Sequence, residues 1–264
     1  MTENGGLCME KDILLTHGDL KIHCVCSEPE DGDIRRIVLG VHGLGGCARD
    51  EIQSAIAEEM DMYYSATVRF DFPGQGESPM SDEYLTLHHC KESLQAVGAY
   101  IRETYPDVED LCIFATGFGA YVTLVALQDL QELPGKLKLV VQTPSVRMHD
   151  TFLKMRDISR PTLEAMGVVE CKSRRRNFHV TYDFYREMEE NIALTTYPLP
   201  MLILHSDADE YIRMEDIQQF HRINEGSQLV IIPGISHRFQ EDGAWDMVLD
   251  LTRDWFEFEQ VLLM

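Results

Sequence analysis

Imidazoles, carboxylates and glycine-rich turns recur in this chain directly after short apolar runs, where protons could be moved and an anion could be met by backbone N–H groups. The run Ile37 to Val41 is followed by His42-Gly43-Leu44-Gly45-Gly46, and Tyr64 to Phe70 by Asp71-Phe72-Pro73-Gly74-Gln75-Gly76-Glu77-Ser78. Leu111 to Ala115 leads into Thr116-Gly117-Phe118-Gly119-Ala120, Met201 to Leu204 into Asp207-Ala208-Asp209, and Leu229 to Ile232 into Pro233-Gly234-Ile235-Ser236-His237. Open parallel sheets bind ligands at the carboxyl ends of their strands, so these five segments are where chemistry is expected.

Other reactive residue types carry less. The seven cysteines are odd in number and form no Cys-x-x-Cys pair, which reads as free thiols in a reducing compartment with neither a disulfide framework nor a zinc site. Adjacent side chains diverge, so His88, His89 and Cys90 make a poor metal cluster. Cys47 reads as a buried structural thiol, and Asp71 and Ser78 as the fixings of a turn and a helix start. Arg174-Arg175-Arg176 reads first as a solvated face and second as an attractor for an anionic group of a ligand.

The apolar runs themselves are too compact for helices and mostly lack alternation, as expected of parallel strands covered on both faces. Before them, Ile13 to Leu15 and Leu20 to Cys26 flank His17-Gly18-Asp19 and predict an antiparallel hairpin. Between the strands, Ile52, Ala55, Ile56 and Met60 share a helical face, as do Leu94, Val97 and Ile101, while Tyr121 to Leu130 is apolar nearly all round. Trp245, Val248, Leu249, Thr252 and Phe256 give a last amphipathic helix. Strand and helix alternate, predicting an α/β fold with a mainly parallel central sheet and helices on both faces.

One segment breaks the alternation. Residues 146–200 carry helical fragments and no obvious strand, and hold nine basic against eight acidic residues, net +1, leaving −23 for the rest of the chain. They read as an inserted helical lid, with 1–145 and 201–264 as the core.

Five motifs in this order, each at a strand end, resemble the α/β-hydrolase superfamily: a His-Gly turn, Asp-x-x-Gly-x-Gly-x-Ser, a small-x-nucleophile-x-Gly elbow, a late Asp, and a His near the C-terminus. The look is that of the small lidded serine esterases of the feruloyl or cinnamoyl esterase and monoacylglycerol lipase type. The resemblance spans about residues 13 to 262. It implies a triad whose acid is Asp209 and whose base is His237, 92 and 28 residues apart in the order nucleophile, acid, base. It also implies an oxyanion hole from the backbone N–H groups of Leu44 and Phe118, with His42 shaping that loop.

At the nucleophile position stands Gly117, so the acyl-enzyme route is closed there. Neither Thr116, Ser236 nor Cys47 is a convincing substitute. The resemblance therefore implies a weak or inactive esterase that still binds an acyl or aromatic ligand. Two alternatives stay open: the His237–Asp209 pair acting as general base on water or a carbon acid, and a non-catalytic ligand sensor. The lid aromatics Phe178, Tyr182, Phe184 and Tyr185 suit an apolar or aromatic acyl group and suit lid packing equally well.

Composition bounds the partners. With 264 residues, 44% apolar and 26% charged, the chain is neither disordered nor fibrous. Its 45 acidic against 23 basic residues, net −22, repel phosphate backbones and anionic lipid, so nucleic acid and membrane surfaces are not expected partners. A small-molecule ester or acyl ligand is. No apolar run approaches the ~20 residues of a membrane helix, and Met1 to Asp12 lacks the pattern of a signal peptide, so a cytoplasmic protein is expected. Nothing in the sequence requires a metal or organic cofactor, and if the ligand is anionic the lid is the one part whose charge does not oppose it.

Overall fold

The computed structural model describes residues 9–30, 34–108, 110–129, 136–258 and 261; Cys8, the first seven residues and Leu130 lie outside them. An eight-stranded sheet has the order β1-β2-β4-β3-β5-β6-β9-β10. Its edge is the antiparallel hairpin β1 (Met9–His17) and β2 (Leu20–Glu28), which turns at Gly18 with φ +55°. β2 pairs antiparallel with β4 (Ser65–Phe70), and from there every pairing is parallel, through β3 (Arg36–Val41), β5 (Asp110–Thr116), β6 (Lys136–Gln142), β9 (Met201–Ser206) and β10 (Ser227–Ile232).

The near-continuous apolar runs become strands because both faces of the sheet are covered. Successive residues of one strand enter opposite cores: Ile37, Leu39 and Val41 of β3 join one apolar cluster and Val38 the other, as Leu139 and Val141 of β6 are separated from Val140. The first core is closed by α2 (Leu87–Thr104) and α3 (Gly117–Gln128), the second by α1 (Glu51–Asp61) and α8 (Ala244–Phe258). Phe118 to Ala126 of α3 are buried without interruption, matching a stretch that is apolar all round. Among the described residues, no helix is long and apolar enough to cross a membrane.

Between β6 and β9 lie α4 (Met148–Arg156), α5 (Arg160–Met166), a two-stranded sheet of β7 (Val168–Cys171) and β8 (Phe178–Thr181), and α6 (Tyr182–Glu190). The hairpin corrects the expectation of helical fragments alone. α5 is stopped by Gly167 at φ +73°, whose N–H closes on Leu163 O. After it, Val168 and Val169 pair with Thr181 and Val180, while Phe178 and Val180 turn inward and His179 and Thr181 outward. Four-residue strands joined by a polar, basic turn carry too little pattern to stand out in sequence. Phe184 packs against Phe118 of α3 and so joins the segment to the core, while Tyr185 packs within the segment against Phe152 and Tyr182.

Candidate functional site

The carboxyl ends of β3, β5, β9 and β10 bring four loops together. After β3, the His42 ring is buried; its Nδ1 donates to Gly43 O at 2.7 Å and its Nε2 accepts from Phe72 N at 3.1 Å, so both nitrogens are used in fixing the turn. Gly45, at φ +78°, donates its N–H to Gln75 Oε1. Asp71 ties this turn to the next: its carboxylate accepts from the N–H groups of Ala48 and Glu77 and from His23 Nδ1. Ser78 accepts from Met80 N within the same turn and starts no helix, since the 3-10 turn Asp82–Tyr84 is preceded by Ser81.

The elbow between β5 and α3 places Gly117 at φ +50°. Gly119 packs so tightly on the end of β3 that a Cβ there would stand 2.6 Å from Val41 O and closer still to His42 O. A Cβ on Gly117 would meet nothing within 4 Å. The first N–H groups of α3 have no partner one turn back in the helix, leaving Phe118 N–H at the elbow beside the Gly43–Gly46 turn.

After β9, Asp209 accepts from Tyr211 N (2.8 Å) and Ile212 N (2.9 Å) through Oδ1 and from His237 Nδ1 (2.8 Å) through Oδ2. Its side chain is 1% exposed. Burial would raise this carboxyl, but the hydrogen bond and charge of His237, and then the N–H groups of Ile212 and Tyr211, hold it below the usual carboxylate range. The two loops are clamped independently of that pair: Ser206 Oγ donates to Ile235 O and accepts from Ala208 N and Ile235 N, Gly234 N–H reaches Asp207, and His237 N–H reaches Glu210. With Nδ1 committed to Asp209, Nε2 is the nitrogen left to act. Tyr211 meets the His237 ring edge to face at 5.3 Å.

Behind Asp209 lies His205, which sequence reasoning missed. Its side chain is fully buried, Nδ1 sits 3.8 Å from Asp209 Oδ2, and neither ring nitrogen has a hydrogen-bond partner. Burial, the largest influence, and His237 hold the imidazole down to about 4 against the pull of Asp209, so it is neutral.

Gly117, Phe118, Leu44 and His237 line one cavity of about 550 Å³. Its apolar wall includes Met148, Met155 and Trp245, and its polar lining includes Gln142 at the end of β6 and Thr143 and Ser145 just after it. Thr143 adopts φ +45°, a left-handed backbone uncommon for a β-branched residue. Phe178, Tyr182 and Tyr185 do not line this cavity: Phe178 packs under Gly45, and Tyr185 is buried against Phe152 and stacked on Tyr182. Of the three residues from which substrate contact is expected, Phe178 packs toward the β3 turn, whereas Tyr182 and Tyr185 pack within the 146–200 segment.

Other candidates separate cleanly. Cys47 donates toward Asp50, and burial, followed by Asp50, pushes its thiol up to about 12. The six described cysteines are all buried and unbridged. Thr116 lines the cavity beside Gly43, whereas Ser236 does not reach it. Cys90 faces the core, while His88, His89 and Glu92 gather their ligand atoms within 4.8 Å outside it.

No protein-family model matches the sequence, and no curated protein does. Solved structures do match in shape. Est1E from Butyrivibrio proteoclasticus, described with ferulic acid bound, superimposes with a TM-score of 0.75 at 20% identity, covering 94% of this chain and 98% of its own. Alpha/beta hydrolase domain-containing protein 10 from mouse gives 0.72 at 15% identity over 95% and 100% of the two chains. The esterase Pf2001 of Pyrococcus furiosus gives 0.68 at 16% over 95% and 91%. With the sheet order, the elbow and the strand-end loops already in place, these similarities mean that the chain has the α/β-hydrolase fold.

Proposed function

We propose that the cavity beside Gly117 binds an acyl or aromatic ester and that the chain turns it over weakly or not at all. The observation that carries this is the elbow itself: where a nucleophilic side chain would stand there is open space, yet His237, hydrogen-bonded to the buried Asp209, lines the same cavity. A serine supplies the attacking oxygen of the acyl-enzyme route, and without it only the oxyanion donors and binding remain, worth about 10³ to 10⁴-fold over water. Leu44 and Phe118 N–H groups are the donors in this reading, with Asp209 orienting His237. Residues 146–200 serve as a lid, contributing Met148 and Met155 to the wall. An aromatic acyl group is supported by that wall with Trp245, and by the ferulic acid described on Est1E.

A second reading is supported by the same 2.8 Å bond. A water in the space above Gly117 would be deprotonated by His237 Nε2, with Asp209 stabilising the imidazolium. Hydrolysis of 4-nitrophenyl butyrate tests both. The native chain is expected to be slow, with Gly117→Ser faster by orders of magnitude, and no gain in that variant overturns the esterase-derived reading. Turnover that persists unchanged in His237→Ala excludes the water route.

A further inference from the structure

In a chain of net −22 the cavity lining holds five basic residues, Arg49 among them, against two acids, Asp50 and Glu51. Lys172, Arg174, Arg175 and Arg238 all line it, three of them from the β7–β8 turn and one adjoining His237. The arginine run of that turn divides by role. Arg176 is structural, donating to Ser78 O at 2.9 Å and tying the turn to the Asp71–Ser78 loop. Arg174 has only a loose, exposed partner in Glu51 at 3.7 Å. Among the described residues, the side chains of Lys172, Arg175 and Arg238 have no ion-pair or hydrogen-bond partner. By contrast Arg49, also on the rim, is tied down by Glu10 and Asp12, and the rim acid Asp50 is engaged by Cys47. With acids outnumbering bases almost two to one, cations without partners converging on one cavity form a local field that favours an anion.

A second observation is independent of surface charge. Ser145 is 1% exposed and Gln142 5%, both line the cavity, and Ser145 Oγ and Gln142 Oε1 have no hydrogen-bond partner. Between them Thr143 holds its left-handed backbone. Buried polar groups without partners destabilise a fold unless a ligand or water completes them, and strained backbone collects at binding sites.

We infer that the ligand is an anionic acyl compound, with a carboxylate or phosphate held by Lys172, Arg175 and Arg238 and a polar group met by Ser145 and Gln142. This rests on the proposed binding of an acyl group beside Gly117. The acyl carbonyl lies toward Phe118 and His237, and the charged end toward the β7–β8 turn, where the Arg fork can donate to either oxyanion.

Calorimetric titration of a matched, hydrolysis-resistant pair tests it: N-phenylsuccinamic acid, which carries a carboxylate, against neutral N-phenylbutanamide. The anion is expected to bind at least about tenfold more tightly at low salt, with the advantage shrinking as salt rises. Lys172→Gln, Arg175→Gln and Arg238→Gln combined are expected to erase it, so that acid and amide bind alike. N-benzoyl-O-phosphoethanolamine, run in parallel, identifies the anionic group by which of the two acids binds more tightly. Equal affinity of the native chain for the acid and the amide, or a preference that survives all three substitutions, overturns the anionic assignment and leaves acyl binding standing. Failure of all the compounds to bind overturns acyl binding and the anionic assignment together.

Discussion

Gly117 and Gly119 stand two residues apart on one turn and lack a side chain under opposite constraints. A Cβ at Gly119 would press into Val41 O and His42 O, whereas a Cβ at Gly117 would enter open space. Only the second glycine is demanded by packing. The first has a positive φ of 50°, which glycine adopts freely and which the nucleophile of a G-x-S-x-G elbow adopts under strain.

Gly117→Ser is therefore expected to fold, at a cost of about 1–2 kcal/mol for a non-glycine residue in the left-handed region. It is also expected to become a target for an alkyl fluorophosphonate. Intact mass spectrometry reads the outcome: one phosphonyl adduct on the variant and none on the native chain. A folded variant that stays unlabelled would show that His237 does not activate an oxygen at this position.

Gly119→Ala is the opposite case. Its methyl must displace β3 backbone, so a loss of about 1–3 kcal/mol or more is expected in urea unfolding, with no new reactivity. A variant as stable as the parent would mean that the elbow can move away from β3.

Much of this was readable because strand-end position and residue type coincide. Asp209 and His237 each follow a run such as Met201 to Leu204 that can only be a covered strand, and loops at that edge converge. The β7–β8 hairpin was not readable, because its strands are four residues long and its turn, Lys172 to Asn177, has neither glycine nor proline. Phe178, Tyr182 and Tyr185 show a different limit: an aromatic that packs against its own segment or a neighbouring turn and one that contacts ligand have the same local pattern, and tertiary placement alone separates them. His205 sits inside an apolar strand, where sequence offers no sign that its ring backs onto Asp209. The Arg174–Arg176 run shows the same at the level of charge, since one of its members binds Ser78 O while the next faces the cavity.

His23 gives a pH dependence on the alkaline side. Burial would lower its pKa, but hydrogen bonds to Asp71 and Asp12 and the charges of Asp71 and Glu77 raise it above 6.5. A raised folded value stabilises fully below the unfolded pKa and loses that stability as pH climbs through the folded one. Because Asp71 also holds Ala48 N–H, the contact links the β1–β2 hairpin to the turn at the cavity. Melting temperatures above about pH 6.5 are expected to fall less in His23→Gln than in the parent, and parallel curves would remove His23 as the source.

Asp209 and His205 act on the acid side, in separate windows. Asp209 has a lowered folded pKa, so its contribution is present above the ordinary carboxylate value of 3.8 and disappears as pH falls through the folded one. His205 is also lowered, from 6.5 to about 4, so the unfolded chain binds the extra proton first and stability falls as pH drops from 6.5 toward 4. With no hydrogen bond to either ring nitrogen, replacing His205 by an apolar residue of similar bulk removes a buried orphan and leaves no partner stranded. His205→Leu is thus expected to change stability by no more than about 1 kcal/mol at neutral pH and to flatten the melting curve between pH 6.5 and 4. Asp209→Asn is expected to leave that window's slope in place and to flatten the curve only below it. If His205→Leu keeps the parent slope, the imidazole finds a proton acceptor when charged, and Asp209, 3.8 Å away, is the group positioned to be it.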